Sequence, residues 1–145
     1  MEHRDETSQA AADKVKLLLV DDVKMNLKMA DLILGKRLPC ETFLAESGMK
    51  CLEILAKNPM DLILLDVAMP DFDGIETLQV IRKVDRLKDI PVIFLTGSAD
   101  PLTIVKATEL HVDDYIRKPF VPDDLVHRVV HVLQTRRGKL LELNL

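Results

Sequence analysis

Asp61-Leu62-Ile63-Leu64-Leu65-Asp66-Val67-Ala68-Met69-Pro70-Asp71-Phe72-Asp73-Gly74 is the stretch whose reading decides the fold. An apolar run from Leu62 to Leu65 stops at a carboxylate, Asp66, and turn residues follow at Met69-Pro70 and Asp73-Gly74. A run this short, bounded by turn signals, reads as a strand buried on both faces. A carboxylate at its C-terminal end would stand at the rim of a parallel sheet, where open α/β sheets bind their ligands.

The pattern recurs on both sides. Lys16-Leu17-Leu18-Leu19-Val20 is a second buried strand and ends in Asp21-Asp22; Pro91-Val92-Ile93-Phe94-Leu95 is a third and ends at Thr96-Gly97-Ser98. Cys40 to Ala45 and Asp114-Tyr115-Ile116-Arg117 are shorter strands, the latter ending at Lys118-Pro119. Helical spacing fills the gaps. Met25, Met29, Leu32 and Ile33 mark a helix over Lys24 to Lys36, with Gly35 near its end and Pro39 beyond. The two methionines are expected in the core rather than on a binding surface. Ser47-Gly48 opens a helix that Asn58-Pro59 stops. Asp73 and Glu76 form a capping-box-like start to one running to about Asp85. Asp100-Pro101, with the acid as cap, starts one running to about Leu110. Pro122-Asp123-Asp124 starts the last, whose stripe is Leu125, Val129 and Val132-Leu133 with Val126 and Val130 beside it, ending at Arg136-Arg137-Gly138. Strand and helix alternate, which implies a parallel sheet with helices on both faces and right-handed crossovers.

A chain of 145 residues suits one domain, and a hydrophobic fraction of 48% supports a sizeable core. Residues 1–14 are polar and aperiodic and read as a flexible N-terminal tail; 15–137 is the domain; 138–145 is a C-terminal tail with no output domain. The apolar run Leu140 to Leu145 fits a helix extension, a docking segment or a dimer contact, and a frayed end at least as well. A net charge of -4 and few aromatics argue against direct nucleic-acid binding. No run is long enough for membrane insertion, and no signal-peptide core follows Met1, so a cytoplasmic protein is expected. Cys40 and Cys51 have no metal spacing and read as two small, buried or half-buried thiols. His127 and His131 lie four apart with no third ligand and read as a solvated helix face.

All strands of a parallel sheet end at one edge. Asp21, Asp22, Asp66, Thr96 and Lys118 each follow a strand, so they are expected as neighbours. Each alone reads as a cap, turn residue or surface charge; the joint occurrence does not. Carboxylates about 5 Å apart repel by about 3 kcal/mol per pair at an effective dielectric of 20, so a cation belongs among them. All-oxygen ligands favour Mg²⁺. A carboxylate is also a nucleophile toward phosphorus. An ammonium at Lys118 and a hydroxyl at Thr96 would neutralise and bind the transferred oxygens.

Leu19-Val20-Asp21-Asp22, Asp66-Val67-Ala68-Met69-Pro70-Asp71-Phe72-Asp73-Gly74, Leu95-Thr96-Gly97 and Asp113-Asp114-Tyr115-Ile116-Arg117-Lys118-Pro119-Phe120 together resemble the receiver domain of two-component response regulators. The resemblance implies a flavodoxin-like (βα)5 fold with a five-stranded parallel sheet of order 2-1-3-4-5. It implies Asp66 as phosphoacceptor, Asp21 and Asp22 as Mg²⁺ acids with the Ala68 backbone carbonyl as a further ligand, Lys118 as the phosphate contact, and Thr96 with Tyr115 as the switch pair. It also implies a cis Lys118-Pro119 bond. The partners it implies are a sensor histidine kinase or histidine phosphotransfer protein, and a downstream target or second copy. The latter would meet the face made by the helix at 101–110, the strand at 114–117 and the last helix. The chain departs from the family pattern at Gly97, where alanine is preferred, and at His111-Val112, where a small Gly-Ala pair is common. Ala68 and Ser98 stand where the family tunes phosphate loss, and neither supplies an acid or amide.

Rival functions fit less well. A phosphatase with an aspartate nucleophile and a second acid two residues on finds Ala68 there instead. Nucleotide enzymes need Gly-rich fingerprints that are absent. A degenerate receiver used only as an interaction module would have lost Asp66, Lys118 or the acid pair. The expectation is a phosphoacceptor signalling domain, not an enzyme with a separate substrate, whether it stands alone or is excised from a hybrid histidine kinase or larger regulator.

Overall fold

The computed structural model describes residues 14–70, 72–97 and 101–138. The expected tails at 1–13 and 139–145, the cap at Asp100, and Ser98 lie outside the described residues. The chain runs β1 (Val15–Val20), α1 (Lys24–Arg37), β2 (Cys40–Ala45), α2 (Gly48–Lys57), β3 (Leu62–Asp66), α3 (Gly74–Lys83), β4 (Val92–Thr96), α4 (Pro101–Glu109), β5 (Asp114–Arg117) and α5 (Pro122–Arg137). The strands form one parallel sheet of order β2-β1-β3-β4-β5. This is the flavodoxin-like arrangement that the family resemblance implies.

Because side chains alternate across a strand, each central strand feeds two cores. Leu17, Leu19, Leu62, Leu64, Ile93, Leu95 and Ile116 face α1 and α5. Leu18, Val20, Ile63, Leu65, Val92 and Phe94 face α2 and α3, with Ala107 of α4. That two-sided demand is why β1, β3 and β4 are continuous apolar runs rather than alternating ones.

The helix starts follow local chemistry. The Ser47 side chain accepts the Lys50 N–H at 3.1 Å, and Asp73 and Glu76 close a full capping box on α3. α3 ends at Lys83, two residues before the expected stop, since the chain turns at Val84. Arg82 holds that turn: its guanidinium donates to the carbonyls of Leu110, Lys88, Ile90 and His111 at 2.9–3.2 Å. α5 closes on Gly138 in the left-handed region, φ 64°.

One expectation is overturned. Met25 and Met29 are not core: they are 65% and 42% exposed, and Leu32 is exposed with them. The buried face of α1 is Leu27, Ala30 and Leu34, with Ile33 packed beside it. At about 100° per residue the two sets lie on roughly opposite sides of the helix. α1 carries apolar residues on both sides, so periodicity offers two stripes, and the side chains that fill the sheet surface best take the core.

The turn after α4 places His111 at φ 58°, the left-handed region that penalises a β-carbon. This is the position where the sequence departs from a small residue. His111→Gly is expected to stabilise the protein by about 1 kcal/mol, raising Tm by about 4 °C. A thermal melt with unchanged or lowered Tm would show that the His111 side chain repays the strain.

Candidate functional site

Register places the site. Val20 pairs with Leu65, so the next residues, Asp21 and Asp66, stand side by side where β1 and β3 end. Asp66 pairs with Leu95 and Thr96 with Arg117, which brings Thr96 and Lys118 to the same edge. The Lys118 N–H donates to the Thr96 carbonyl at 2.9 Å. The Lys118-Pro119 bond is cis.

Three carboxylates gather there: oxygens of Asp21, Asp22 and Asp66 lie within 4.8 Å of one another. Asp21 and Asp66 are each 1% exposed, whereas Asp22 faces solvent. Asp21 Oδ1 accepts the Val23 N–H at 2.9 Å, and its Oδ2 accepts from Asn26 Nδ2 at 3.2 Å. Asp66 Oδ1 accepts the Ala68 N–H at 3.2 Å. Lys118 Nζ sits between the buried acids, 3.3 Å from Asp21 Oδ2 and 3.2 Å from Asp66 Oδ2. The loop after Asp66 is closed by Gly74, whose N–H bonds the Val67 carbonyl at 3.0 Å. A β-carbon at Gly74 would lie 2.2 Å from the Asp66 carbonyl oxygen, so only glycine permits this approach.

Burial and the neighbouring Asp21 push the Asp66 carboxyl up to about 7, with Lys118 and the Ala68 N–H working against them. Burial lowers the Lys118 ammonium, but the adjoining carboxylates of Asp66 and Asp21 outweigh it and its pKa is raised. One ammonium against three acids leaves a local excess of negative charge. Asp66 Oδ2 has the Lys118 ammonium at 3.2 Å as its partner, without good hydrogen-bond geometry. A buried, under-satisfied carboxylate oxygen, in an all-oxygen acidic cluster open on the Asp22 side, fits a hard divalent cation that keeps waters. The residues present therefore suit Mg²⁺.

Thr96 and Tyr115 line one cavity of about 250 Å³ with Ile104 and Arg128. The Tyr115 hydroxyl donates to the Ile104 carbonyl of α4 at 3.4 Å. Every acid, hydroxyl and ammonium expected at the rim is thus at the rim, with Tyr115 one strand further out. His127 and His131 are exposed on α5, away from the one acidic group with metal-ligand spacing among the described residues. Cys51 is buried and Cys40 half-buried, both free; burial pushes the Cys51 thiol up to about 12, which keeps it inert.

Sequence reasoning missed Asn26 and Arg82. Asn26 left one faint signal, a poor helix former in the first turn after the acid pair; Arg82 left none, because its partners are backbone carbonyls, which no residue type marks.

Comparison with known proteins follows the same line. The response regulator receiver domain family matches residues 17–130. Over 128 residues the chain is 38% identical to a protein named probable cyclic di-GMP phosphodiesterase from Vibrio cholerae, covering 88% of this chain and 29% of that protein. Over 121 residues it is 40% identical to the transcriptional regulatory protein CpxR homolog of Haemophilus influenzae, covering 82% of this chain and 50% of that protein. The chain thus spans half or less of the length of these relatives. The receiver domain of an HD domain-containing protein from Pseudomonas fluorescens Pf-5 superposes with a TM-score of 0.79 at 26% identity, covering 86% of this chain and 98% of that one.

The raised Asp66 carboxyl sets a pH signature. Between the ordinary carboxylate value of 3.8 and about 7 the folded state keeps a proton that the unfolded chain has released. Stability without divalent ions therefore falls as pH rises through this window, and the penalty is complete above it. Asp66→Asn is expected to melt higher than wild type at pH 8 without metal, by about 4–8 °C for about 1–2 kcal/mol, with the gap closing toward pH 4. Equal melting of the two proteins at pH 8 would show that Asp66 is not strained by its surroundings.

Proposed function

Because the chain belongs to the response regulator receiver domain family of two-component signalling, we propose that it is a phosphorylation-dependent switch whose phosphoacceptor is Asp66. The observation that carries this reading is the Asp66 carboxylate itself. It is buried at the sheet rim, raised in pKa, held at Oδ1 by a backbone N–H and faced at Oδ2 by Lys118 Nζ.

Asp66 Oδ2 attacks phosphorus; the new P–O bond forms as the bond to the donor, a phosphohistidine nitrogen or the oxygen of a small acyl phosphate, breaks with its electron pair. Lys118 shifts from the carboxylate pair to a phosphoryl oxygen and neutralises charge there. Mg²⁺ held by Asp21, Asp22, Asp66 and the Ala68 carbonyl would supply the remaining positive charge to the phosphoryl oxygens. The Thr96 hydroxyl donates to another.

The product adds about 1.5–2 negative charges at neutral pH. Drawing Thr96 toward them enlarges the cavity it shares with Tyr115, and the aromatic ring turns inward, releasing the Ile104 carbonyl. The readout is the surface of α4, β5 and α5, where Leu102 and Val105 are exposed. A downstream protein or a second copy meets that surface. The phosphodonor is a sensor histidine kinase or histidine phosphotransfer protein. It docks where apolar side chains surround the rim: Val23, Met25 and Met29 on and before α1, and Val121 before α5, are all exposed. Among the described residues no helix is long and apolar enough to cross a membrane.

Incubation with acetyl phosphate and Mg²⁺ is expected to add one phosphoryl group by intact mass, and Asp66→Asn to add none. Undiminished labelling of that variant would remove Asp66 from the role. Two further variants separate the halves of the reading. Met25→Glu with Met29→Glu is expected to slow transfer from a protein donor at least tenfold while leaving acetyl phosphate labelling intact. Tyr115→Ala is expected to label normally and lose target affinity. Equal slowing with both donors, or wild-type target affinity, would count against the respective surface.

A further inference from the structure

Of the acids at the rim, Asp21 is held the most closely, and its two oxygens are held by different means. Oδ1 is fixed by the Val23 N–H. Oδ2 faces two donors, Lys118 Nζ at 3.3 Å and Asn26 Nδ2 at 3.2 Å. Under the proposed function the first of these leaves: Lys118 is the ammonium that goes to the phosphoryl oxygens. Asn26 has no such second duty. It sits in the first turn of α1, and its own N–H is tied to the Val23 carbonyl at 3.0 Å. Its carboxamide therefore rides on a helix end rather than on a loop.

We infer that Asn26 is a positioning residue for the cation site: it fixes the Asp21 carboxylate so that the same lone pairs meet a divalent ion whether Lys118 is paired with that carboxylate or drawn away. The inference rests on the reading that Asp21, Asp22 and Asp66 hold Mg²⁺. The residue type suits the task. A carboxamide donates without charge, so it does not oppose the ion as Lys or Arg would, and it adds no further acid as Asp would. One N–H uses one lone-pair direction of Oδ2 and leaves the second to Lys118 or, once the ammonium withdraws, to the ion. Donors behind ligating groups change metal affinity by about 10–100-fold when removed. Nothing else on the described surface offers Asp21 Oδ2 a neutral hydrogen bond.

The test is Mg²⁺ binding to unphosphorylated protein by isothermal titration calorimetry, for wild type, Asn26→Ala and Asn26→Leu. Leucine keeps the side-chain volume, removes the donor and favours helix, so a fold-competent variant is available even if alanine is not; melting without metal is measured for both. The expected result is a Kd raised about tenfold in each variant. Acetyl phosphate labelling should reach the wild-type rate at saturating Mg²⁺, with the half-saturating concentration raised by the same factor. Wild-type Kd in the folded variants would overturn the inference, as would a lower labelling rate at saturating Mg²⁺ with Kd unchanged. Absence of Mg²⁺ binding by wild type would instead overturn the cation reading beneath it, so the two failures are told apart.

Discussion

Strand register forces like charges together, and the rest of the site answers that constraint. Parallel pairing of β1 with β3 leaves Asp21 and Asp66 adjacent at the end of the ladder, both shut away from water. At about 5 Å and an effective dielectric of 20, such a pair repels by about 3 kcal/mol. Lys118 reaches across from the end of β5 and touches both. One ammonium does not balance three carboxylates, and burial together with the neighbouring Asp21 raises the Asp66 pKa despite Lys118. A site built this way is held short of positive charge by its own backbone. Its fit to a divalent ion and the proposed role of Asp66 rest on that same shortage of positive charge.

The two-sided core explains how so exposed a chemistry sits on so firm a base. α1 and α5 cover one face of the sheet, α2 and α3 the other, and the buried strands between them leave no freedom for the rim residues to drift. Gly74 adds the last restraint by folding the loop back against the Asp66 carbonyl.

Much of this was legible in the chain. Apolar runs ending in acids located the strand ends, and strand ends are where a parallel sheet assembles a site; Asp21, Asp22, Asp66, Thr96 and Lys118 came together for that reason. The fold order followed from the resemblance and from the βα alternation. The orientation of α1 did not follow. Its methionines and its Leu27-Ala30-Leu34 stripe obey the same period, and only packing against β1 and α5 separates them. Asn26 and Arg82 were hard to read for another reason: Asn26 acts through one side-chain contact to Asp21 and Arg82 through four backbone carbonyls, and three-dimensional geometry sets those partners. The His111 position was flagged as unusual by residue type, and the backbone there is indeed left-handed.

α4 is anchored differently from the other helices. Ala107 is its one fully buried residue among those described, and Leu102, Ile104 and Val105 are largely left outside. The Tyr115 hydroxyl contributes a hydrogen bond to the Ile104 carbonyl, and the Leu110 and His111 carbonyls just beyond the helix are held by Arg82. Little apolar area is lost when such a helix detaches, so its opening free energy lies far below that of global unfolding. Amide exchange would report α4 as an independent unit, loose while the sheet stays locked. Of the five described helices it has the fewest buried residues holding it to the rest of the fold.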